Sequence, residues 1–115
     1  MSLDPILEVV VEPLEDGCLI RARGELDLSS VEALRGPLSR ARKAGAATLV
    51  DLSGVWFMDS SGLHLILDAA LDAEANGWSL SFRTSPQVHR VLEVTGTLES
   101  VRLVPGDPLT DTSPG

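Results

Sequence analysis

Apolar and polar residues alternate at the start of the chain with the period of a β-strand. An apolar, largely β-branched run spans Ile6 to Glu12 and ends at Pro13, and from Cys18 to Gly24 every second residue is small or apolar. Between the two runs stands Asp16-Gly17, a strong signal for a tight turn between antiparallel strands. Proline is tolerated at the end of an edge strand, because its missing N–H is not needed there. The pattern predicts an N-terminal β-hairpin.

Three later segments repeat apolar residues with the period of an α-helix. Their apolar positions are Val31, Leu34, Leu38 and Ala41, then Leu63, Ile66, Leu67, Ala70 and Leu71, and finally Val88, Val91 and Leu92. Ser29 or Ser30 can cap the first helix, and Glu32 is spaced for a capping box with Ser29. Gly36-Pro37 lies inside the first pattern, so it either kinks that helix or marks a later start. Ser85-Pro86 is typical of the start of the third helix.

Apolar strands are predicted between and after these helices, at Thr48–Leu52, Trp78–Arg83 and Val101–Val104. The resulting order is β-β-α-β-α-β-α-β. Alternating strands and helices favour parallel pairing with right-handed crossovers, and the hairpin adds an antiparallel pair. The predicted fold class is therefore α/β, with a single mixed, mostly parallel β-sheet, an N-terminal hairpin and helices packed on the sheet. Residues 1–105 form the predicted domain, and residues 106–115 a flexible C-terminal tail.

Composition limits the kinds of partner. The 115 residues are 43% hydrophobic but only 3% aromatic, and the formal net charge is -8. An acidic chain disfavours nucleic acids and anionic membranes as partners and permits a partner with a basic face. Cys18 is the single cysteine, which excludes an internal disulfide. The two histidines suggest no metal site, so no cofactor is predicted. No membrane span and no signal peptide are visible, and we expect a cytoplasmic protein.

A carboxylate and two hydroxyls stand where a predicted strand gives way to the second helix. They are Asp59, Ser60 and Ser61, within the stretch from Val55 to Leu63. The N-terminus of a helix has unpaired N–H groups and a partial positive charge, so the fold would tolerate a phosphate on Ser60. In a simpler interpretation Ser60 or Ser61 is an N-cap, a role that contributes about 1 kcal/mol.

Catalysis by Ser60 is a further alternative. His64 follows Ser60 by one helical turn and is a potential base. However, the Gly-x-Ser-x-Gly elbow of hydrolases and an acid to orient the histidine are both missing. No glycine-rich phosphate loop occurs either. A small serine hydrolase is therefore the weakest interpretation, and we expect no enzyme activity.

Three motifs, in order and spacing, resemble one family. They are Gly24-Glu25-Leu26-Asp27, Met58-Asp59-Ser60-Ser61-Gly62-Leu63, and the run from Val88 to Gly96. The chain resembles the STAS domain family over about residues 6 to 104, and more narrowly the bacterial anti-sigma factor antagonists (anti-anti-sigma factors). The resemblance implies a non-enzymatic signalling protein whose unphosphorylated form binds an anti-sigma factor, a GHKL-type serine kinase, and releases the sigma factor.

The same resemblance assigns roles to residues. The kinase phosphorylates the serine after the motif aspartate, here Ser60, the complex dissociates, and a serine phosphatase resets it. The partner-binding residues implied are Asp27, Asp59, Ser60, Ser61, Gly62 and Leu63. The alternative within the family is a scaffold, or a soluble regulatory subunit of a stress-signalling complex or a membrane transporter. Neither role involves nucleic acid or direct insertion into a membrane.

Several residues keep two interpretations. Asp27 is either a turn or capping acid, or a partner contact. Trp56 and Phe57 are expected to pack in the core, although one of them is an alternative partner contact. His64 is interpreted as an exposed helix residue, which departs from the small residue common in the family, and His89 is expected at the surface. Cys18 is interpreted as a small core residue.

Overall fold

The computed structural model describes residues 6–104, which form four strands, three α-helices and a short 3-10 turn. Their bounds are β1 Leu7–Leu14, β2 Gly17–Leu26, α1 Val31–Ala44, β3 Ala47–Met58, α2 Ser60–Asn76, β4 Leu80–Thr84, α3 Pro86–Val94 and the 3-10 turn Leu98–Ser100. The tail predicted at residues 106–115 lies outside the described residues. Among residues 6–104, no helix is both long enough and apolar enough to span a bilayer.

The strands form one mixed sheet in the order β1-β2-β3-β4. β1 and β2 pair antiparallel around the predicted Asp16-Gly17 turn, and β2, β3 and β4 pair parallel. The predicted fold class is confirmed. The carboxyl ends of β2 and β3 lie side by side, where Leu26 pairs with Met58. This edge of the sheet therefore brings together the segments that follow each strand.

One hydrophobic cluster joins one face of the sheet to the three helices. On this face alternate strand residues are buried, among them Ile20 of β2, Val50 of β3 and Phe82 of β4. The helices contribute the predicted stripes, with Leu34 and Ile66 fully buried, but the prediction that Leu71 belongs to the stripe of α2 is wrong, since Leu71 is 57% exposed. Burying such aliphatic side chains is the main source of stability, at roughly 25 cal/mol per Å² of apolar area.

The opposite face of the sheet carries a charged cluster centred on Asp51 of β3. Its side chain is 8% exposed and lies between Arg21 of β2 and Arg83 of β4, at 3.7 and 3.5 Å. The Ser53 N–H donates a hydrogen bond of 2.9 Å to Asp51 Oδ1. Burial raises the pKa of the Asp51 carboxyl, but hydrogen bonding from Ser53 and the charges of Arg83 and Arg21 outweigh it, and the pKa lies below its ordinary value.

Acid is expected to destabilise the protein partly through Asp51. Because its pKa is lower in the folded than in the unfolded state, ionised Asp51 stabilises the fold above the unfolded pKa of about 3.9. That contribution is lost as the pH falls through the folded value. Urea unfolding at about pH 7 and about pH 3 should show that Asp51→Asn loses less free energy of unfolding between these pH values than the wild type does.

Asp68→Asn is the control, since this exposed carboxylate has no partner among the described residues. This variant should lose as much free energy of unfolding as the wild type does. An equal loss in all three proteins would contradict the role of Asp51.

β3 is longer than the predicted Thr48–Leu52 and contains two irregularities. Its pairing with β2 shifts by one residue between Asp51 and Gly54, and again between Val55 and Phe57. Each shift inserts one extra residue into β3, which is the definition of a β-bulge. The strand therefore continues to Met58 and meets α2 with Asp59 alone between them.

Other predicted bounds also need correction. The second strand of the hairpin is predicted over Cys18 to Gly24, but β2 continues to Leu26. α1 begins at Val31 and contains Pro37, so the Gly36-Pro37 pair does not delay its start. The predicted strand at Val101–Val104 is a single parallel bridge between Leu103 and Phe82. The segment still runs alongside β4, since the Phe82 N–H donates to the Arg102 carbonyl and the Val104 N–H donates to the Phe82 carbonyl.

Candidate functional site

Asp59 caps α2 and so sets the geometry of the junction. Its backbone is extended, and its Oδ1 accepts hydrogen bonds from the N–H groups of Ser61 at 2.9 Å and Gly62 at 3.2 Å. The Asp59 carbonyl accepts the N–H of Leu63 at 3.0 Å. The interpretation of Ser60 or Ser61 as the N-cap is therefore wrong. Aspartate is an equally good capping residue, and here it takes the donors that the serines would compete for.

Asp59 also binds the loop between β2 and α1. Its second carboxylate oxygen, Oδ2, accepts the N–H of Leu28 at 3.2 Å, and its own N–H donates to the Leu26 carbonyl at 3.2 Å. One side chain thus connects the first turn of α2 to residues 27–30. The two acidic motifs of the sequence, which are separated by about thirty residues, meet at this point.

Ser60 is the first residue of α2 and is exposed. Its hydroxyl has no hydrogen-bond partner among residues 6–104. Ser61 is half-buried, and its backbone N–H is committed to Asp59. Neither hydroxyl has a hydrogen-bond partner among residues 6–104, and Ser60 is the more exposed of the two serines.

Gly62 and Leu63, both implied as partner-binding residues, are buried. A Cβ added to Gly62 would lie 2.7 Å from the Leu26 carbonyl oxygen and 2.8 Å from Met58 Cγ. Real Cβ atoms do not approach a backbone oxygen so closely, so only glycine lets α2 start this near to the end of β2. The described contacts give both residues a supporting role, and direct contact with a partner stays a prediction.

Asp27 forms a tight turn before α1. Its Oδ1 accepts the Ser29 N–H at 3.0 Å, the Ser29 hydroxyl at 2.8 Å and the Ser30 hydroxyl at 3.2 Å. Hydrogen bonding from the Ser29 side chain, more than any other cause, lowers the pKa of Asp27. Ser30 is the N-cap residue by position but makes no capping bond, and the predicted capping box is absent because Glu32 pairs with Arg35. The turn role of Asp27 is visible, and its partner contact stays a prediction.

Trp56 and Phe57 are exposed, so the expectation that they pack in the core is wrong. Their exposed fractions are 55% and 46%, and Leu28 on the neighbouring loop is 76% exposed. Trp56 is the extra residue of the second bulge, which breaks the alternation of the strand between Val55 and Phe57. A bulge re-aims neighbouring side chains. Two adjacent aromatic residues can therefore both remain outside the core.

The two histidines differ. His64 is exposed on α2, as expected. His89 is only 9% exposed, so its predicted surface position is wrong. It follows Val88 and precedes Leu92 on a helix whose buried stripe is wide enough to include it. Its Nδ1 is buried without a hydrogen-bond partner in the described part of the chain. Cys18 is half-buried against the core cluster, with its Sγ 3.5 Å from the Thr48 hydroxyl.

The side chains around this junction form neither a hydrogen-bonded catalytic pair nor a metal-binding cluster among residues 6–104. No hydrogen bond joins Ser60 to His64 among residues 6–104, and the Asp59 carboxylate is taken up by three backbone N–H groups. The same residues hold no group of three or more His, Cys, Asp or Glu side chains placed to bind a metal ion. What the junction offers is an accessible hydroxyl beside a fixed carboxylate.

A family model described as "Mlab, STAS domain" matches residues 11–105. The chain belongs to the STAS domain family. The match includes the β2–α1 turn, the capped start of α2 and the buried α3. The resemblance seen in the three sequence motifs is thereby confirmed.

Several proteins similar to this STAS domain are named anti-sigma factor antagonists. An anti-sigma F factor antagonist from Lysinibacillus sphaericus is 37% identical over 81 residues, which cover 68% of this chain and 69% of the relative. The unphosphorylated anti-sigma factor antagonist SpoIIAA superimposes with a TM-score of 0.68 at 27% identity, covering 90% of this chain and 94% of SpoIIAA. The phosphorylated form of the Bacillus SpoIIAA gives 0.66 at 27% identity, covering 90% and 97%.

Proposed function

We propose that this STAS domain is an anti-sigma factor antagonist switched by phosphorylation at Ser60. In the unphosphorylated state it binds an anti-sigma factor that is itself a GHKL-type serine kinase, and the sigma factor is released. The kinase transfers a phosphate to Ser60 and the complex dissociates. A serine phosphatase returns the protein to its binding state.

The observation that carries this proposal is the uncommitted hydroxyl of Ser60 at the start of a capped helix. Ser60 is exposed, while Asp59 already satisfies the first N–H groups of α2. Modification of Ser60 therefore costs the fold no hydrogen bond. Relatives of the same family with structures in both phosphorylation states support the assignment.

Charge explains why the modification would disrupt a complex. A phosphate adds about -1.5 to -2 charges at neutral pH. It would lie beside the Asp59 carboxylate and near the turn formed by Asp27. The hydrogen bond from the Leu28 N–H to Asp59 connects the loop that contains Asp27 to the start of α2. A partner surface that accommodates a neutral hydroxyl would then face concentrated negative charge, and local repulsion with the cost of desolvation weakens the contact.

Exposed apolar residues next to the switch supply binding area. Leu28, Trp56 and Phe57 belong to segments that reach the same end of the sheet as Ser60. Large aromatic side chains are typical of the few residues that dominate a protein interface. Together with the acids, they fit a partner with an apolar surface bordered by basic residues. Asp27, Asp59, Ser60 and Ser61 are the proposed polar contacts, and Gly62 and Leu63 hold the backbone that presents them.

The role requires no reaction by this chain itself, because the kinase supplies ATP and the transfer machinery. Ser60 acts as an acceptor, and its hydroxyl makes no hydrogen bond to a potential base among the described residues. We therefore propose a non-enzymatic regulator.

Incubation with the cognate anti-sigma kinase and ATP is expected to add one phosphate to the wild-type protein and none to Ser60→Ala. Intact-mass spectrometry and peptide mapping measure the number and position of phosphates. Ser61→Ala is the matched control, since it removes the neighbouring hydroxyl and should still be phosphorylated. Each GHKL-type serine kinase of the source organism is to be tested as the cognate enzyme.

Two results would overturn the proposal. One is equal phosphorylation of Ser60→Ala and wild type, which would place the acceptor elsewhere. The other is a pull-down that recovers a transporter ATPase or a large signalling assembly and no kinase-like ATPase. That second result would favour the scaffold or transporter-subunit role.

A further inference from the structure

The outward face of α2 bears a single row of exposed side chains that begins at Ser60. The row consists of Ser60, His64, Asp68, Leu71 and Ala75, which are spaced by three or four residues. Residues four apart on a helix are surface neighbours, with Cβ atoms about 5–6 Å apart. Helical side chains lean toward the N-terminus, so the imidazole of His64 leans back toward Ser60.

The start of α2 has few donors left for a phosphate. The N–H groups of Ser61, Gly62 and Leu63 already donate to the side chain or carbonyl of Asp59. A phosphate on Ser60 would have to displace Asp59 from its cap to use them. The ready-made anion site that a helix N-terminus usually offers is thus largely occupied by the protein's own carboxylate.

Positive charge is also scarce near this position. α2 contains no lysine or arginine, and its His64 is the one side chain in the helix that can become cationic. Asp59 at the cap, Asp27 on the attached loop and Asp68 on the next turn are acidic. On α1, the helix that packs against α2, Glu32 pairs with Arg35, Arg42 pairs with Asp72 of α2, and Arg40 and Lys43 lie in the C-terminal half. The one basic residue in the first turns of α1, Arg35, is therefore already paired.

We propose that His64 is the intramolecular partner of the phosphate on Ser60, its protonated ring donating a hydrogen bond to a phosphoryl oxygen. This inference rests on the proposed function, because it takes Ser60 as the acceptor. The pair would hold the phosphate on the α2 face and partly offset its charge.

The experiment uses the full chain with phosphoserine inserted at position 60 during translation, so that no kinase is needed. Titration by phosphorus NMR measures the second pKa of the phosphate, which is ordinarily about 6. A nearby cation favours the dianion and lowers that pKa. For the wild type we expect a phosphate pKa about 0.3–0.7 unit below that of the His64→Gln variant, and we expect the difference to shrink at high salt.

Lys43→Gln is the matched control, since it removes one positive charge at the far end of α1, where Lys43 is exposed. It should leave the phosphate pKa at the wild-type value. An unchanged phosphate pKa in His64→Gln, or an equal change in Lys43→Gln, would overturn the role of His64. The outcome is independent of the kinase assay, so failure of phosphorylation at Ser60 and failure of the His64 pairing are told apart.

Discussion

Alanine at position 62 is expected to destabilise the protein strongly and to disorganise the start of α2. The added Cβ would meet the Leu26 carbonyl oxygen at 2.7 Å, and a backbone atom cannot move aside as a flexible side chain can. Overpacking of this kind typically costs about 1–3 kcal/mol, and we expect the upper end of that range. In a domain of this size, that loss lowers the melting temperature by roughly 10 °C.

Gly36→Ala is the matched control for Gly62→Ala. Gly36 is also helical, and beyond its chain neighbours a Cβ there would meet only the end of the Arg40 side chain, at 3.4 Å. Alanine is the better helix former, but a Cβ is disfavoured directly before Pro37, so Gly36→Ala should change stability by less than about 1 kcal/mol. Thermal and urea unfolding measure both variants. The steric explanation fails if Gly62→Ala destabilises the protein no more than Gly36→Ala does.

Removal of the Asp59 carboxylate is expected to loosen two segments together. Asp59→Ala deletes the acceptor for Ser61 and Gly62 on α2 and for Leu28 on the loop. Loss of an N-cap costs about 1–2 kcal/mol. Amide hydrogen exchange should accelerate at all three N–H groups. Affinity for the anti-sigma factor should also fall, because the loop that contains Leu28 and the start of α2 are no longer held in a fixed position relative to each other.

Asp68→Ala separates the effect of the cap from the effect of charge. It removes one carboxylate from the same helix, but no described residue binds that carboxylate. Its stability should stay within about 0.5 kcal/mol of the wild type, with unchanged exchange at Leu28. Faster exchange at Ser61 and Gly62 with normal protection at Leu28 would show that Asp59 does not couple the loop to the helix.

The sequence predicts the framework well because its signals are periodic and repeated. The helical stripes of α1, α2 and α3 each contain several apolar residues at consistent spacing, and the Asp16-Gly17 turn sets the hairpin. Glycines at the ends of α1 and α2 adopt the left-handed conformation that stops a helix. Because each pattern contains several residues, a single atypical residue does not change which element is predicted.

The site was harder to predict, because its details depend on single residues and on tertiary contacts. Asp59, Ser60 and Ser61 are all favoured capping residues, and only the folded backbone decides which of them bonds to the first N–H groups. Trp56 is an extra residue in a bulged strand, so strict alternation assigns it to the wrong environment. His89 looks polar in sequence, but the packing of α3 against β3 determines its burial.

The two bulges also constrain the length of β3. Each bulge adds to β3 one residue that has no partner on β2. Together the bulges determine on which face of the sheet each side chain from Val55 to Met58 lies. Deleting one residue after Leu52 would turn these side chains to the opposite face of the sheet. Met58 would move away from Gly62, and Asp59 would lose its contact with the loop. Substitution of an exposed residue such as Trp56 does not change the face on which its neighbours lie. This segment should therefore tolerate the exchange of a side chain better than the gain or loss of a single residue.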